Sequence, residues 1–161
     1  MADSKLRKVT IDETLFSFAF DRDLDFHDAY PTSTYLDLET GEINWVYEKD
    51  EDAYMEAGVA PDDNRIMRER VEATPSRYLE IPGLDHGDHH VILREFLDSD
   101  WTADKEQHTR ARNAYFGSIG GWKKSLDDES IVHAFHDYRD RKTIQMAEDF
   151  LREHGIEPEW R

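Results

Sequence analysis

The 161-residue sequence lacks cysteine and any long apolar segment. Without cysteine the protein has no disulfide framework, no cysteine nucleophile and no metal site built from thiolates. No apolar run approaches the roughly 20 residues that a membrane-spanning helix needs. The first ten residues include lysines and an arginine but no apolar stretch of the kind found in secretion signals. These absences predict a soluble, cytoplasmic protein with no membrane association.

Basic residues are also scarce. The chain has 37 acidic and 20 basic side chains, which gives a formal net charge of −17 at pH 7. The excess is greatest in residues 1–63, where 17 acidic and 5 basic residues leave a net charge of −12. Nucleic-acid binding requires a cluster of Lys and Arg that displaces counterions from the phosphates. Because no segment provides such a cluster, we do not expect direct binding to nucleic acid.

Three explanations of the acidity stay open. A large net charge keeps a protein dissolved and monomeric. Aspartate (21) exceeds glutamate (16) and arginine (13) exceeds lysine (7), a composition that also suits a high-salt cytoplasm. The third explanation is a basic protein partner, including a nucleic-acid-binding protein whose binding site the acidic surface would occupy.

The pattern of apolar residues predicts an α+β fold, in which a small antiparallel sheet packs against a mainly helical C-terminal half. Apolar and polar residues alternate on both sides of Gly41, and a glycine there permits the positive φ angle of a short hairpin loop. A further strand candidate is closed by Pro82 and Gly83. The three expected strands cover residues 34–39, 43–48 and 76–81.

The length and a hydrophobic content of 38% suit a single domain over residues 1–161. Residues 48–75 are acidic, and Pro61 suits the first turn of a helix. We therefore predict that this segment is an acidic helical excursion within the domain.

The last third of the chain carries two apolar stripes with different helical phases. One stripe includes Ile131 and Phe135, and the other includes Ala147 and Leu151. The two stripes lie about 150° apart on a helical wheel. Because one core cannot receive both faces of a straight helix, we expect a break within residues 139–142.

Four short motifs follow one another over most of the chain. They are Tyr35-Leu36-Asp37-x-x-Thr40-Gly41-Glu42, Arg77-Tyr78-x-x-Ile81-Pro82, a Gly-aromatic-basic-basic run at residues 121–124, and Phe150-Leu151-x-x-x-Gly155-Ile156-Glu157. In order and spacing this series resembles a bacterial family known as uncharacterised protein family 0158. The resemblance implies a small domain without an established activity, and it assigns no catalytic residue.

A histidine-rich segment at residues 85–90 is the main candidate for chemistry. Imidazole and carboxylate are the usual ligands of zinc, manganese and iron, so this segment predicts a divalent metal site. Its candidate ligands are Asp85, His86, His89 and His90. The alternative is structural, because Asp88 suits the N-cap of a helix and His89 shares a helical face with Ile92 and Phe96.

A second group of titratable residues lies near the C-terminus. His133, His136, Asp137 and Asp140 have the i,i+3 and i,i+4 spacing of a metal half-site. The same helical wheel places all four opposite the apolar stripe that contains Phe135. We therefore interpret them as a solvent-exposed face.

Aromatic and basic residues suggest where a partner binds. Trp45 and Tyr47 alternate with Val46 on the second predicted strand, and Trp122 is followed by Lys123 and Lys124. Exposed aromatic side chains rimmed by charge are typical of binding surfaces. The alternative is that the tryptophans fill the core.

These observations favour a non-enzymatic interaction or regulatory module that has no cofactor and binds a basic protein. The competing hypothesis is a metal-dependent hydrolase centred on residues 85–90.

Overall fold

A computed structural model describes residues 5–21 and 31–161. The chain forms two compact units, of which the first contains residues up to 83 together with 147–161, and the second contains residues 84–146. Seven α-helices and a three-stranded antiparallel sheet confirm the predicted α+β class within the described residues. The assignment of the whole chain to one domain stays a prediction. No helix in the described ranges has the length and apolarity that spanning a membrane requires.

The first unit contains the predicted hairpin and the third predicted strand. They form a sheet in the order β3-β2-β4. Its strands are β2 (Thr32–Asp37), β3 (Ile43–Tyr47) and β4 (Tyr78–Glu80). Trp45 lies opposite Thr34 in the β2–β3 register, and Leu79 lies opposite Leu36 in the β2–β4 register. The three-strand prediction is therefore confirmed, with strand ends that differ by at most two residues.

Asp37 joins the end of β2 to the residue before β4. Arg77 donates from Nε to Oδ1 over 3.0 Å and from Nη2 to Oδ2 over 2.8 Å. The buried carboxylate also accepts the backbone N–H groups of Glu39 and Thr40 in the hairpin loop. The hydrogen bonds from Arg77 are the main reason that the pKa of Asp37 is lowered from 3.8 to about 2.

A second, two-stranded sheet was not predicted from the sequence. It pairs β1 (Arg7–Ile11) with β5 (Ile156–Trp160) in parallel. Pro158 in β5 lies opposite Val9 and is buried. Proline has no backbone N–H to donate to a neighbouring strand, so within sheets it is found mainly in edge strands. Its presence in residues 156–160 is therefore a local signal against a strand. The pairing joins segments almost 150 residues apart in sequence.

Gly41 brings the hairpin loop against β1. Its φ angle is +77°, as the sequence predicts. A Cβ atom at this position would lie 1.8 Å from the backbone oxygen of Thr10. Only glycine therefore fits, both because of its backbone conformation and because of this close approach.

The first unit also contains three helices near the sheets. They are α1 (Glu13–Asp21), α2 (Asp50–Ala57) and α3 (Pro61–Ala73). In α1, Phe16 stacks on Phe20 and contacts Trp160, and Phe20 contacts Phe150. The helices α2 and α3 pack against each other and against β3. The acidic segment at residues 48–75 is therefore mainly helical, as predicted.

The second unit is helical. It contains α4 (His86–Asp98), α5 (Lys105–Asn113), α6 (Ile119–Ser125) and the first part of α7 (Glu129–Glu153). Phe96, Trp122 and Phe135 contact one another through their ring edges, and all three are buried. Trp101 stacks on Phe96 at the side of this cluster.

The predicted break at residues 139–142 is wrong, because α7 is continuous. The first apolar stripe, with Ile131 and Phe135, is buried in the second unit, whereas Ala147 and Leu151 are buried in the first. One helix therefore supplies two separate cores. The prediction failed because it assumed a single core. A straight helix cannot bury two different faces against one core, but it can bury each face in a different one.

Candidate functional site

The helices α2 and α3 carry the acidic segment predicted at residues 48–75; together with the connection between them, they are called the acidic helical pair (residues 50–73). A buried asparagine, Asn64, attaches it to the sheet. Its Oδ1 accepts the backbone N–H of Tyr47 over 2.9 Å, and its Nδ2 donates to the carbonyl oxygen of Tyr47 and to Asp50 Oδ1. The Asn64 side chain thus pairs with the strand end as another strand would.

Arg68 completes this attachment. Its two terminal nitrogens donate to both carboxylate oxygens of Asp50 over 2.6 and 3.1 Å. Each of these side chains is 30% exposed. The hydrogen bond from Arg68 is the largest reason that the pKa of Asp50 is lowered. Two charges of the acidic helical pair are therefore used for structure and are not free for a ligand.

The outer surface of the acidic helical pair exposes apolar side chains. Tyr54 is 61% exposed and Met55 is 71% exposed. Val59 and Ile66 are also exposed. Side chains of this size in water are often binding residues when they occur together on one surface. Four of them lie within residues 50–73, which makes the acidic helical pair the candidate binding segment.

Acidic side chains surround these apolar residues in sequence. Residues 48–75 contain nine acidic and four basic residues, for a net charge of −5. Asp62 and Glu69 each pair with Arg65 on the surface. Five acidic residues of the helical pair have no ion-pair partner among the described residues: Glu51, Asp52, Glu56, Asp63 and Glu72. The acidic helical pair therefore exposes both apolar side chains and unpaired carboxylates.

The two aromatic residues predicted on β3 differ in exposure. Trp45 is 37% exposed on this edge strand of the sheet. Tyr47 is 8% exposed and belongs to the core. Of this predicted pair, only Trp45 presents its ring to solvent.

The predicted group at residues 122–124 is also divided by the fold. Trp122 is fully buried, and its indole nitrogen donates to the carbonyl oxygen of Ala111 over 2.8 Å. Lys123 is half-buried with its Nζ 5.9 Å from the centre of the Phe135 ring, and Lys124 is exposed. Trp122 is thus a core residue, as the alternative interpretation had it, and the lysines alone face solvent.

The histidine-rich segment forms the start of α4. The helix begins at His86, three residues earlier than the sequence interpretation placed it, and its N-cap is Asp85 rather than Asp88. Asp85 Oδ1 accepts the N–H of Asp88 over 2.8 Å, and Asp88 Oδ2 accepts the N–H of Asp85 over 2.9 Å. This reciprocal capping box engages Asp85, which is the carboxylate of the predicted metal site.

Two of the four predicted ligands meet. His86 Nε2 and His90 Nε2 lie 2.9 Å apart, and His90 Nδ1 lies 2.5 Å from the hydroxyl oxygen of Tyr115. His90 is buried and His86 is exposed. Burial, followed by the neighbouring His86, lowers the pKa of His90. His89 is buried, as its helical face predicts.

In the part of the chain that the structure describes, no three His, Asp or Glu side chains are grouped so that they would hold one metal ion. The predicted set of Asp85, His86, His89 and His90 is therefore reduced to the pair His86 and His90. The hydrolase hypothesis stays a prediction, and its proposed centre retains two ligands.

The second titratable group, on α7, is mostly a surface. His133, Asp137 and Asp140 are exposed, as expected. His136 is half-buried, and its Nε2 has no hydrogen-bond partner among the described residues. Burial, followed by Lys123, lowers the pKa of His136. No carboxylate approaches His136 closely enough to form an ion pair within the described residues.

Sequence reasoning missed Tyr54, Met55 and Tyr115. The first two occur in an acidic run where no apolar periodicity marks a surface, and composition alone does not show that they are exposed. Tyr115 is 25 residues from His90. Only the packing of the second unit brings their side chains together.

Comparisons with protein-family models, with curated proteins and with solved structures found no match to this chain. The resemblance to uncharacterised protein family 0158 therefore stays a prediction.

Proposed function

We propose that the protein is a non-enzymatic interaction module whose acidic helical pair binds a basic, amphipathic segment of a partner protein. The observation that carries this proposal is the combination of exposed apolar side chains and unpaired carboxylates on one short pair of helices. Apolar contacts provide most of the affinity of an interface, while complementary charge provides selectivity and speeds association. A basic segment with an apolar face matches both features.

The rigidity of this surface supports the proposal. Asn64 and the Arg68–Asp50 pair tie both helices to the end of β3. A surface held in this way loses little conformational freedom when a partner binds, and preorganisation of this kind raises affinity. The partner is expected in the cytoplasm, since composition favours that compartment.

The test uses a synthetic helical peptide of Leu and Lys with its leucines on one face. A peptide of the same composition in scrambled order is the control, because it has the charge without the apolar face. We expect the amphipathic peptide to bind more tightly by isothermal titration calorimetry. We expect its affinity to fall when salt rises from about 0.05 to 0.5 M, since exposed charges are then screened.

Matched variants locate the surface. Replacing Tyr54 and Met55 together with serine should weaken binding at least about tenfold, because burial of even one such side chain contributes about 1.5–3 kcal/mol and tenfold corresponds to about 1.4 kcal/mol. Phe116→Ser is the control, since Phe116 is 89% exposed and belongs to the second unit. Equal binding of both peptides, or an equal effect of both variants, would contradict the proposal.

A further inference from the structure

The pair of imidazoles at the start of α4 has a geometry that the interaction function does not use. His86 and His90 are four residues apart, so their side chains lie on the same face of the helix. Their Nε2 atoms face each other across 2.9 Å. We propose that His86 and His90 form a bidentate site for a divalent late transition-metal ion.

The distance between the two nitrogens supports this assignment. Metal–imidazole bonds are about 2.0–2.1 Å long, so two of them at a right angle place their nitrogens about 2.9 Å apart. At a tetrahedral angle the same bonds require about 3.3 Å. The observed 2.9 Å thus matches the right angle of a tetragonal centre, which Cu²⁺ and Ni²⁺ prefer.

Tyr115 holds the buried member of the pair in place. Its hydroxyl oxygen is 2.5 Å from His90 Nδ1. With Nδ1 protonated, His90 donates to this oxygen, and its Nε2 is left unprotonated on the side of His86 with a lone pair available to a metal ion. Metal-binding histidines generally have such a partner on the second ring nitrogen. Tyr115 is therefore a positioning residue and not a ligand.

The surroundings permit a cation with open coordination positions. The site has two protein ligands, and exposed His86 leaves its outer side to water. The carboxylates of Asp85 and Asp88 lie in the capping box at the same helix end. Their negative charge offsets the positive end of the helix dipole, which otherwise disfavours a cation. Arg94 is the basic residue nearest to His90 on this helix, and it donates to the His90 carbonyl oxygen.

The experiment titrates the untagged full-length protein with Cu²⁺, Ni²⁺ and Zn²⁺ separately, by calorimetry, and records the electron paramagnetic resonance spectrum of the Cu²⁺ form. We expect one Cu²⁺ per chain, two equatorial nitrogens in the spectrum, and affinities in the order Cu²⁺ > Ni²⁺ ≥ Zn²⁺. The general order of stability of these ions already places Cu²⁺ first, so the nitrogen count is the sharper result.

Variants separate this site from general surface binding. Loss of a residue that orients a metal ligand typically weakens metal binding 10–100-fold, so Tyr115→Phe should weaken binding about tenfold. His86→Gln removes a ligand itself and should weaken binding by at least about 100-fold. His86 is exposed, and far-UV circular dichroism checks that His86→Gln folds. His133→Gln removes another exposed histidine and should change nothing.

An unchanged spectrum and affinity in His86→Gln would overturn the site, as would an equal loss in His133→Gln. Either result would mean that the 2.9 Å contact is only a hydrogen bond between two histidines. We expect these variants to leave the peptide titration unchanged, so the metal site and the interaction surface are tested independently.

Discussion

Charged hydrogen bonds connect the three-stranded sheet of the first unit to its loop and helices, whereas an aromatic cluster lies in the core of the second unit. In the first, Asp37 with Arg77 and Asp50 with Arg68 connect strands, loop and helices. In the second, the buried rings of Phe96, Trp122 and Phe135 form one cluster. A small sheet buries little apolar area. Bidentate ion pairs have a strict geometry, so they fix the position of one element against its neighbour. We therefore expect acid to destabilise mainly the first unit, and cavity-forming substitutions to destabilise mainly the second.

The largest expected effect is the loss of Trp122. Trp122→Ala should lower the free energy of unfolding by about 3–5 kcal/mol, because it leaves a cavity in the aromatic cluster. It also leaves the Ala111 carbonyl oxygen without its donor. Urea unfolding measures this change. Trp122→Phe keeps a ring and should cost less, so equal losses in the two variants would show that packing is not what Trp122 contributes.

Gly41→Ala should lower the free energy of unfolding by about 3 kcal/mol, since a left-handed backbone and a forced contact each cost about 1–3 kcal/mol. The contact is with the backbone of Thr10, which cannot rotate away. Gly58 is the matched control: its φ angle is +68°, and an added Cβ meets nothing within 4 Å. Gly58→Ala should therefore cost only about 1 kcal/mol. Similar losses in both variants would contradict a close approach of the hairpin to β1.

Asp37→Asn tests how much the charged hydrogen bonds contribute to the stability of the first unit. The pKa of Asp37 is lowered on folding from 3.8 to about 2, which corresponds to about 2 kcal/mol of stability above the unfolded pKa. This contribution is lost as the pH falls from about 4 through about 2. The difference between wild type and variant should therefore shrink in that window when unfolding is measured at several pH values. A constant difference would show that the Asp37 charge is not what stabilises the sheet.

Arg68→Gln should give the smallest effect, about 1 kcal/mol, because the Arg68–Asp50 pair is partly exposed. Arg65→Gln removes a half-exposed arginine whose pairs are at the surface, and should cost at most about 0.5 kcal/mol. Hydrogen exchange should rise in residues 50–73 for Arg68→Gln alone. If both variants raise it equally, the ion pair with Asp50 does not attach the acidic helical pair.

The sequence predicted the α+β class, the two strands that flank Gly41, the third strand before Pro82, and the helical nature of residues 48–75, because these depend on local periodicity and turn residues. It also predicted that His89 is packed. The parallel pair of β1 and β5 was missed, since its pairing joins distant segments and one strand contains Pro158. Likewise, the capping residue of α4 was placed wrongly because Asp85 and Asp88 are chemically equivalent in the sequence.

Among the candidate binding residues, exposure had to be decided by the fold. Trp45 and Trp122 are the same residue type, yet one reaches solvent and the other is fully buried. Tyr54 and Met55 are ordinary apolar residues in an acidic run until the packing of α2 on α3 leaves them outside.

By itself, the sequence determined the excess of negative charge, the absence of thiol chemistry and the positions of the main turns, because composition and local backbone preferences do not depend on distant contacts. The tertiary structure alone decided that α7 supplies two cores without a break. It also decided that His86, His90 and Tyr115 meet, and that apolar side chains stand among the carboxylates of the acidic helical pair. Each of these depends on which face of an element is buried, and burial is set by partners far away along the chain.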